Sequence, residues 1–179
     1  MIFEACMELV RKQGYESLNT RSIAHQIHCS TQPIYSRFAT MEELKQALYI
    51  HVGNYFNTYV SNVAQGKDFF KQIGIAYITF AKEESNLFKF LFMSEFWALK
   101  DFSDMFSEEE NQQVAYALSQ GLKITLEDAK NLYMKIWIFT HGIASMVATK
   151  SIALNEKEIS SMLAQVFSAF LQYTKNNAN

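Results

Sequence analysis

A single proline, Pro33, in a chain of 179 residues is the strongest constraint on what this sequence can fold into. Average usage in a chain this long would supply roughly 9 prolines and 13 glycines, and only six glycines are present. Helix interiors exclude both residues, whereas sandwiches, barrels and doubly wound sheets place them freely at turns. The shortage predicts an all-α protein, long enough for a sizeable core in one domain or two small ones. No apolar run approaches the roughly 18 residues of a membrane span. The longest candidate, 136–149, contains His141 and Gly142 and is flanked by Lys135 and Lys150. Glu4 and Glu8 stand where a signal peptide would be basic, and two cysteines, Cys6 and Cys29, make no disulfide framework. The expectation is a cytoplasmic protein with no membrane partner. An aromatic content of 15% argues against disorder.

Punctuation divides the first 48 residues into short helices. Residues 2–10 place Ile2, Ala5, Cys6, Leu9 and Val10 on one helical face, and Gly14 follows Arg11 and Lys12 as a helix end should. Thr20 is the expected cap of a helix over 20–27, with Ile23, Ala24 and Ile27 facing inward. Ser30 is the expected cap of the next, over 30–38. Thr40 and Glu43 form a capping box that opens a longer helix to about residue 61. Helices are then expected over 68–83, 109–120, 125–150 and 155–175, with Thr125 and Asn155 as caps. Soft linkers are expected at 65–67, 102–107 and Gly121, and a short aromatic segment at 87–96.

The second and third pieces read as a helix–turn–helix, with His28 at the turn position that requires positive φ. Pro33 falls in the first turn of the following helix, where its missing N–H leaves no intrahelical bond unmade. A short helix exposing Thr31, Gln32, Tyr35 and Ser36 from its N-terminal turn suits a major groove, whose width admits it.

Residues 2–48 resemble the DNA-binding domain of TetR-type (tetracycline-repressor-like) transcriptional regulators. The matching positions are Ala5, Leu9, Gly14, Thr20, Ile23, Ala24, Ser30, Ile34, Tyr35, Phe38, Glu42 and Leu44. The resemblance implies an N-terminal helix–turn–helix domain, 1–48, joined to a helical effector-binding and dimerisation domain, 49–179. It also implies phosphate contacts at Thr20 and Arg21, and DNA contacts at Ser30, Thr31, Gln32, Pro33, Tyr35 and Ser36. Gln32 can pair bidentately with adenine, Pro33 can meet a thymine methyl, and Arg37 and Lys45 can reach phosphate. The family's lysine opening the fourth helix is replaced by Met41. Residues 1–50 carry five Lys or Arg and five Asp or Glu, so non-specific phosphate affinity should be weak.

In that family the last helices pair between two subunits, which implies a homodimer through Ile136, Ile143, Val147, Ile159, Met162, Val166 and Phe170. The resemblance also implies a pocket, for which Tyr77, Phe80, Phe88, Phe92, Phe96, Trp97, Trp137 and His141 supply candidate walls. Taken one at a time, each of these side chains reads better as ordinary core. With so many Phe and Met, a hydrophobic or aromatic effector is favoured. His25, His28 and Cys29 have zinc-like spacing but read better as an exposed His25 and a turn His28 beside a buried Cys29. No Glu-x-x-His pair, nucleophile elbow or phosphate-cradling loop occurs, so neither an enzyme nor a cofactor is expected. The expected function is a ligand-released repressor on a pseudo-palindromic operator. The competing reading is a helical small-molecule sensor or interaction protein with weakened DNA binding.

Overall fold

The computed structural model describes residues 1–64, 68–97, 101–107 and 109–177. Among them the secondary structure is helical throughout. The helices are α1 (Ile2–Gln13), α2 (Thr20–Gln26), α3 (Gln32–Tyr35), α4 (Met41–Val63), α5 (Phe69–Glu83), α6 (Ser85–Phe92), α7 (Glu109–Leu122), α8 (Leu126–Ala148) and α9 (Glu156–Asn177). Short 3-10 turns occupy Tyr15–Ser17 and Phe102–Phe106. Of the expected linkers, 65–67 lies outside the described residues, and 102–107 is largely the second 3-10 turn. Gly121 is inside α7 rather than a linker, and a Cβ there would meet open space.

Side-chain caps open four of the helices, α2, α4, α8 and α9. Thr40 Oγ1 accepts from the Glu43 N–H at 3.1 Å, Thr125 Oγ1 from the Asp128 N–H at 3.0 Å, and Asn155 Oδ1 from the Glu158 N–H at 3.0 Å. Each satisfies an N–H that the first turn leaves without an intrahelical partner. At α2 the expected cap is corrected. Asn19, not Thr20, accepts from the Ser22 N–H at 2.9 Å, and Ser22 Oγ accepts from the Asn19 N–H at 3.2 Å. Thr20 becomes the first helical residue, buried, with its hydroxyl 3.2 Å from the Met41 sulfur.

The core is continuous from α1 to α9. Leu44, Leu48 and Val52 of α4 pack in one cluster with Val10, Ile23 and Ile34 on one side and Phe80, Phe88 and Phe90 on the other. The expected domain line at 48/49 falls within α4, which runs across it unbroken. A smaller cluster of Leu118, Ala129 and Tyr133 with Phe70, Phe106 and Phe167 closes the far end, where α7 packs on α8.

Candidate nucleic-acid interface and effector cavity

The turn between α2 and α3 is built by backbone hydrogen bonds around one left-handed residue. His28 has φ 53°, the Cys29 N–H donates to the Ala24 carbonyl at 3.0 Å, and the His28 N–H donates to the His25 carbonyl at 3.2 Å. This paired arrangement ends a helix sharply, usually with glycine at the left-handed position. Helix α3 then begins at Gln32 with no side-chain cap, so the expected role of Ser30 as cap is corrected, and Pro33 is its second residue. The helical turn continues through the Phe38 N–H, which donates to the Ile34 carbonyl at 2.9 Å.

Ile34 and Phe38 are buried and anchor α3 to the core. Its other face is open: Ser30, Gln32, Pro33, Tyr35, Ser36 and Arg37 are exposed, Thr31 is half-buried, and Tyr35 retains 57% exposure. Arg21 is exposed on α2. Thr20 and Lys45 stand apart from this face in their contacts. The Thr20 hydroxyl is turned to Met41, and Lys45 is half-buried with Nζ 5.9 Å from the centre of the Tyr15 ring. Tyr15 in turn donates to Glu95 at 2.9 Å. A backbone N–H, the Tyr15 hydroxyl and the nearby Lys45 hold the Glu95 carboxyl below its ordinary range. Cys29 is exposed, correcting its expected burial. Cys6 is the buried thiol, and desolvation pushes it up to about 12. No group of three or more His, Cys, Asp or Glu is placed to hold a metal ion among the described residues.

A cavity of about 420 Å³ opens between α4, α5, α7 and α8. Of the eight expected wall residues, Tyr77, Phe92, Trp97 and Trp137 line it. The other four stand outside its lining. Phe80 and Phe88 are fully buried core, and Phe96 packs against Tyr15, Tyr49 and Phe90. His141 stands behind the wall, stacked on Trp137 at 4.8 Å between ring centres and sharing a 2.9 Å hydrogen bond with the Tyr77 hydroxyl. Burial lowers the His141 pKa and raises that of Tyr77 well above the ordinary tyrosine range. Sequence reasoning missed the wall from α4, whose signal was present as Tyr49, Gly53, Phe56, Asn57 and Val60, a helical stripe. Asn111 supplies a polar patch, donating to the Met105 carbonyl at 2.8 Å and accepting from the Tyr133 hydroxyl at 2.6 Å. The charged groups among the described lining residues are Asp104 and Glu110.

The expected dimer residues divide by burial. Ile136, Ile143 and Ile159 lie in the chain's own interior, at 7%, 3% and 4% exposure, and Ile136 also lines the cavity. Val147, Met162, Val166 and Phe170 are half-buried. The open stripe of α8 is Ile138, Gly142 and Met146, with Ile138 and Met146 at 45% and 43% exposure. It runs beside α9, where Lys135 Nζ sits 4.9 Å from the centre of the exposed Tyr173 ring.

The structure thus joins a helix–turn–helix with an open α3, through one long helix, to a helical body holding an aromatic cavity. Residues 2–48 match the family of bacterial regulatory proteins, tetR family. The whole chain is similar in structure to a TetR-like transcriptional regulator from Rhodococcus sp. RHA1. That likeness has a TM-score of 0.67 at 13% identity, over 96% of this chain and 93% of the other. No curated protein matches the sequence. The N-terminal segment is thus a TetR-family helix–turn–helix domain, and the chain as a whole has the TetR-like fold.

Proposed function

We propose that the protein is a DNA-binding transcriptional repressor that acts as a homodimer and is released from its operator by a small molecule in the cavity. The observation that carries this reading is the α3 surface. Ile34 and Phe38 are sunk into the core, while Gln32, Pro33, Tyr35, Ser36 and Arg37 are all left open, though nothing within the chain requires five exposed side chains there. Helix α4 supplies the coupling: Leu44 and Leu48 pack beneath the helix–turn–helix, and Tyr49, Phe56 and Val60 line the cavity further along the same rod. An effector that binds more tightly to one tilt of α4 than to another shifts the spacing of the two recognition helices by that difference in affinity. Arg21 and Arg37 are the exposed cations for phosphate; Thr20 and Lys45 reach it only if their present contacts are given up.

The test is a mobility shift at low salt against DNA flanking the protein's own gene. A discrete complex is expected, and Gln32→Ala should weaken it by roughly 5- to 150-fold, the worth of one bidentate base contact. Tyr35→Phe should weaken it less. If no fragment shifts and neither variant changes anything, the competing sensor reading takes its place. The observation favouring that alternative is the zero net charge of residues 1–50, which removes most of the sequence-independent attraction.

A further inference from the structure

A second cavity, of about 390 Å³, lies beside the first between α5, α7, α8 and α9. The two share three wall residues, Phe70, Gly74 and Ile136. We propose that they are the two halves of one elongated effector site divided by the Phe70 ring, and that the effector is a long, mostly apolar molecule whose chain passes between Tyr133 and Phe167. This rests on the reading of the first cavity as the effector site.

Three features of the dividing wall support it. The Phe70 ring centre is 5.7 Å from that of Tyr133, which lines the first cavity, and 5.7 Å from that of Phe167, which lines the second. One aromatic ring therefore stands between the two spaces. Phe70 is the second residue of α5, and helical side chains normally lie back over the preceding turn. Here there is no preceding turn of α5, so the ring is held by its aromatic neighbours rather than by its own helix. Gly74, one turn further along, leaves the wall without a side chain on the same face, and a Cβ there would stand 3.1 Å from Leu163 Cδ1. A larger residue would close the wall.

The chemistry of the two spaces matches a chain rather than two separate ligands. Leu118, Leu122, Leu163 and Phe167 make the second cavity apolar, and its charged groups, Asp68 and Lys71, are one of each sign near the start of α5. Each cavity alone lies near the small end of the range for ligand sites, and joined they fall in its upper part.

Binding of n-alkanols from hexanol to dodecanol tests this. Trp97 and Trp137 are the chain's two tryptophans and both line the first cavity, so intrinsic fluorescence reads its occupancy. Affinity is expected to rise about 4-fold per methylene through dodecanol, because each added group leaves water for the second cavity. With Trp97 and Trp137 both replaced by Phe, Phe167→Trp places the one remaining tryptophan in that cavity, where it should respond to the long alkanols and not to hexanol. Phe70→Trp, a bulkier divider, should end the gain at a shorter chain. Affinity that stops rising at short chains in the unaltered protein, a Phe167→Trp signal silent to dodecanol, or no binding of any alkanol would each overturn the proposal. The first of these needs no variant to fold. Operator binding takes no part in these measurements, so their failure leaves the DNA-binding reading standing, and the mobility shift judges that reading separately.

Discussion

His28 holds a backbone position that most L-residues avoid. At φ 53° it closes α2 and aims the chain into α3, a place that glycine fills without strain and a β-branched residue fills badly. His28→Gly should therefore leave stability unchanged within about 1 kcal/mol, whereas His28→Val should lose about 1–2 kcal/mol in urea unfolding. A second histidine governs a pH response. Burial depresses the His141 pKa below its ordinary value of 6.5, so the unfolded chain binds a proton in a range where the folded protein does not. Stability from the neutral ring is fully present above about pH 6.5 and is lost as pH falls from there through the folded pKa. Urea unfolding between pH 7.5 and 5.5 should show that loss, and His141→Gln should reduce it. The turn role of His28 was legible from residue type and spacing. His141 was legible only as an aromatic-segment residue, because its place behind Trp137 and against Tyr77 depends on how α5 meets α8.

Among the helices, the caps and the joints have different origins. Thr40, Thr125 and Asn155 were readable because a cap is a local pattern of side chain and backbone within four residues. The α2 cap went to Asn19 because Asn19 and Ser22 satisfy each other's backbone reciprocally, which leaves Thr20 free to turn inward. The joint between α1 and α6 had no local signal. Arg11 Nε reaches both Glu84 carboxylate oxygens at 3.1 and 2.9 Å, and its Nη1 reaches Glu8 at 3.0 Å. Tyr55 donates to Glu84 at 3.1 Å, and the Asn86 amide donates to the Arg11 carbonyl at 2.9 Å. In sequence Arg11 read only as a basic residue in a last turn, since its partners other than Glu8 lie 73 and 75 residues away. The Arg11 and Glu84 side chains are 28% and 15% exposed, so the pair is shielded enough to matter. Arg11→Met should lose about 1–3 kcal/mol, because Glu84 keeps its charge with only Tyr55 to meet it. Adding Glu84→Gln should cost less than the two single losses together, and a double-mutant cycle on urea midpoints checks it. This cluster ties the helix–turn–helix to the α5–α6 junction, so Arg11→Met should also loosen the grip of cavity occupancy on operator affinity.

At the scale of the whole molecule, the open question for α8 is which of its apolar faces belongs to its own chain. The helix is apolar nearly all round, so helical periodicity places Ile136, Ile143 and Ile138 equally well, and only packing against α5 assigns Ile136 and Ile143 to the interior. The face left over, Ile138, Gly142 and Met146 beside Met162, Val166, Phe170 and Tyr173 of α9, is apolar and open. A Cβ on Gly142 would meet nothing within 4 Å, so the chain's own packing gives no reason for a glycine there, whereas close approach of a partner helix would. Recognition helices that read successive major grooves must stand about 34 Å apart, and a two-fold pairing of this face is what would fix that distance. Sedimentation at micromolar concentration should therefore find a dimer. Ile138→Glu with Met146→Glu should give a folded monomer, because both side chains already face water in the isolated chain. Ile136→Ala should do the reverse, losing about 2–5 kcal/mol of folding stability while the surviving folded protein stays dimeric. Operator affinity separates the two further. The monomeric variant should lose the binding that two half-sites contribute jointly, and a monomer that bound the full operator as tightly as the unaltered protein would remove the two-fold arrangement from the account of how this protein reads DNA.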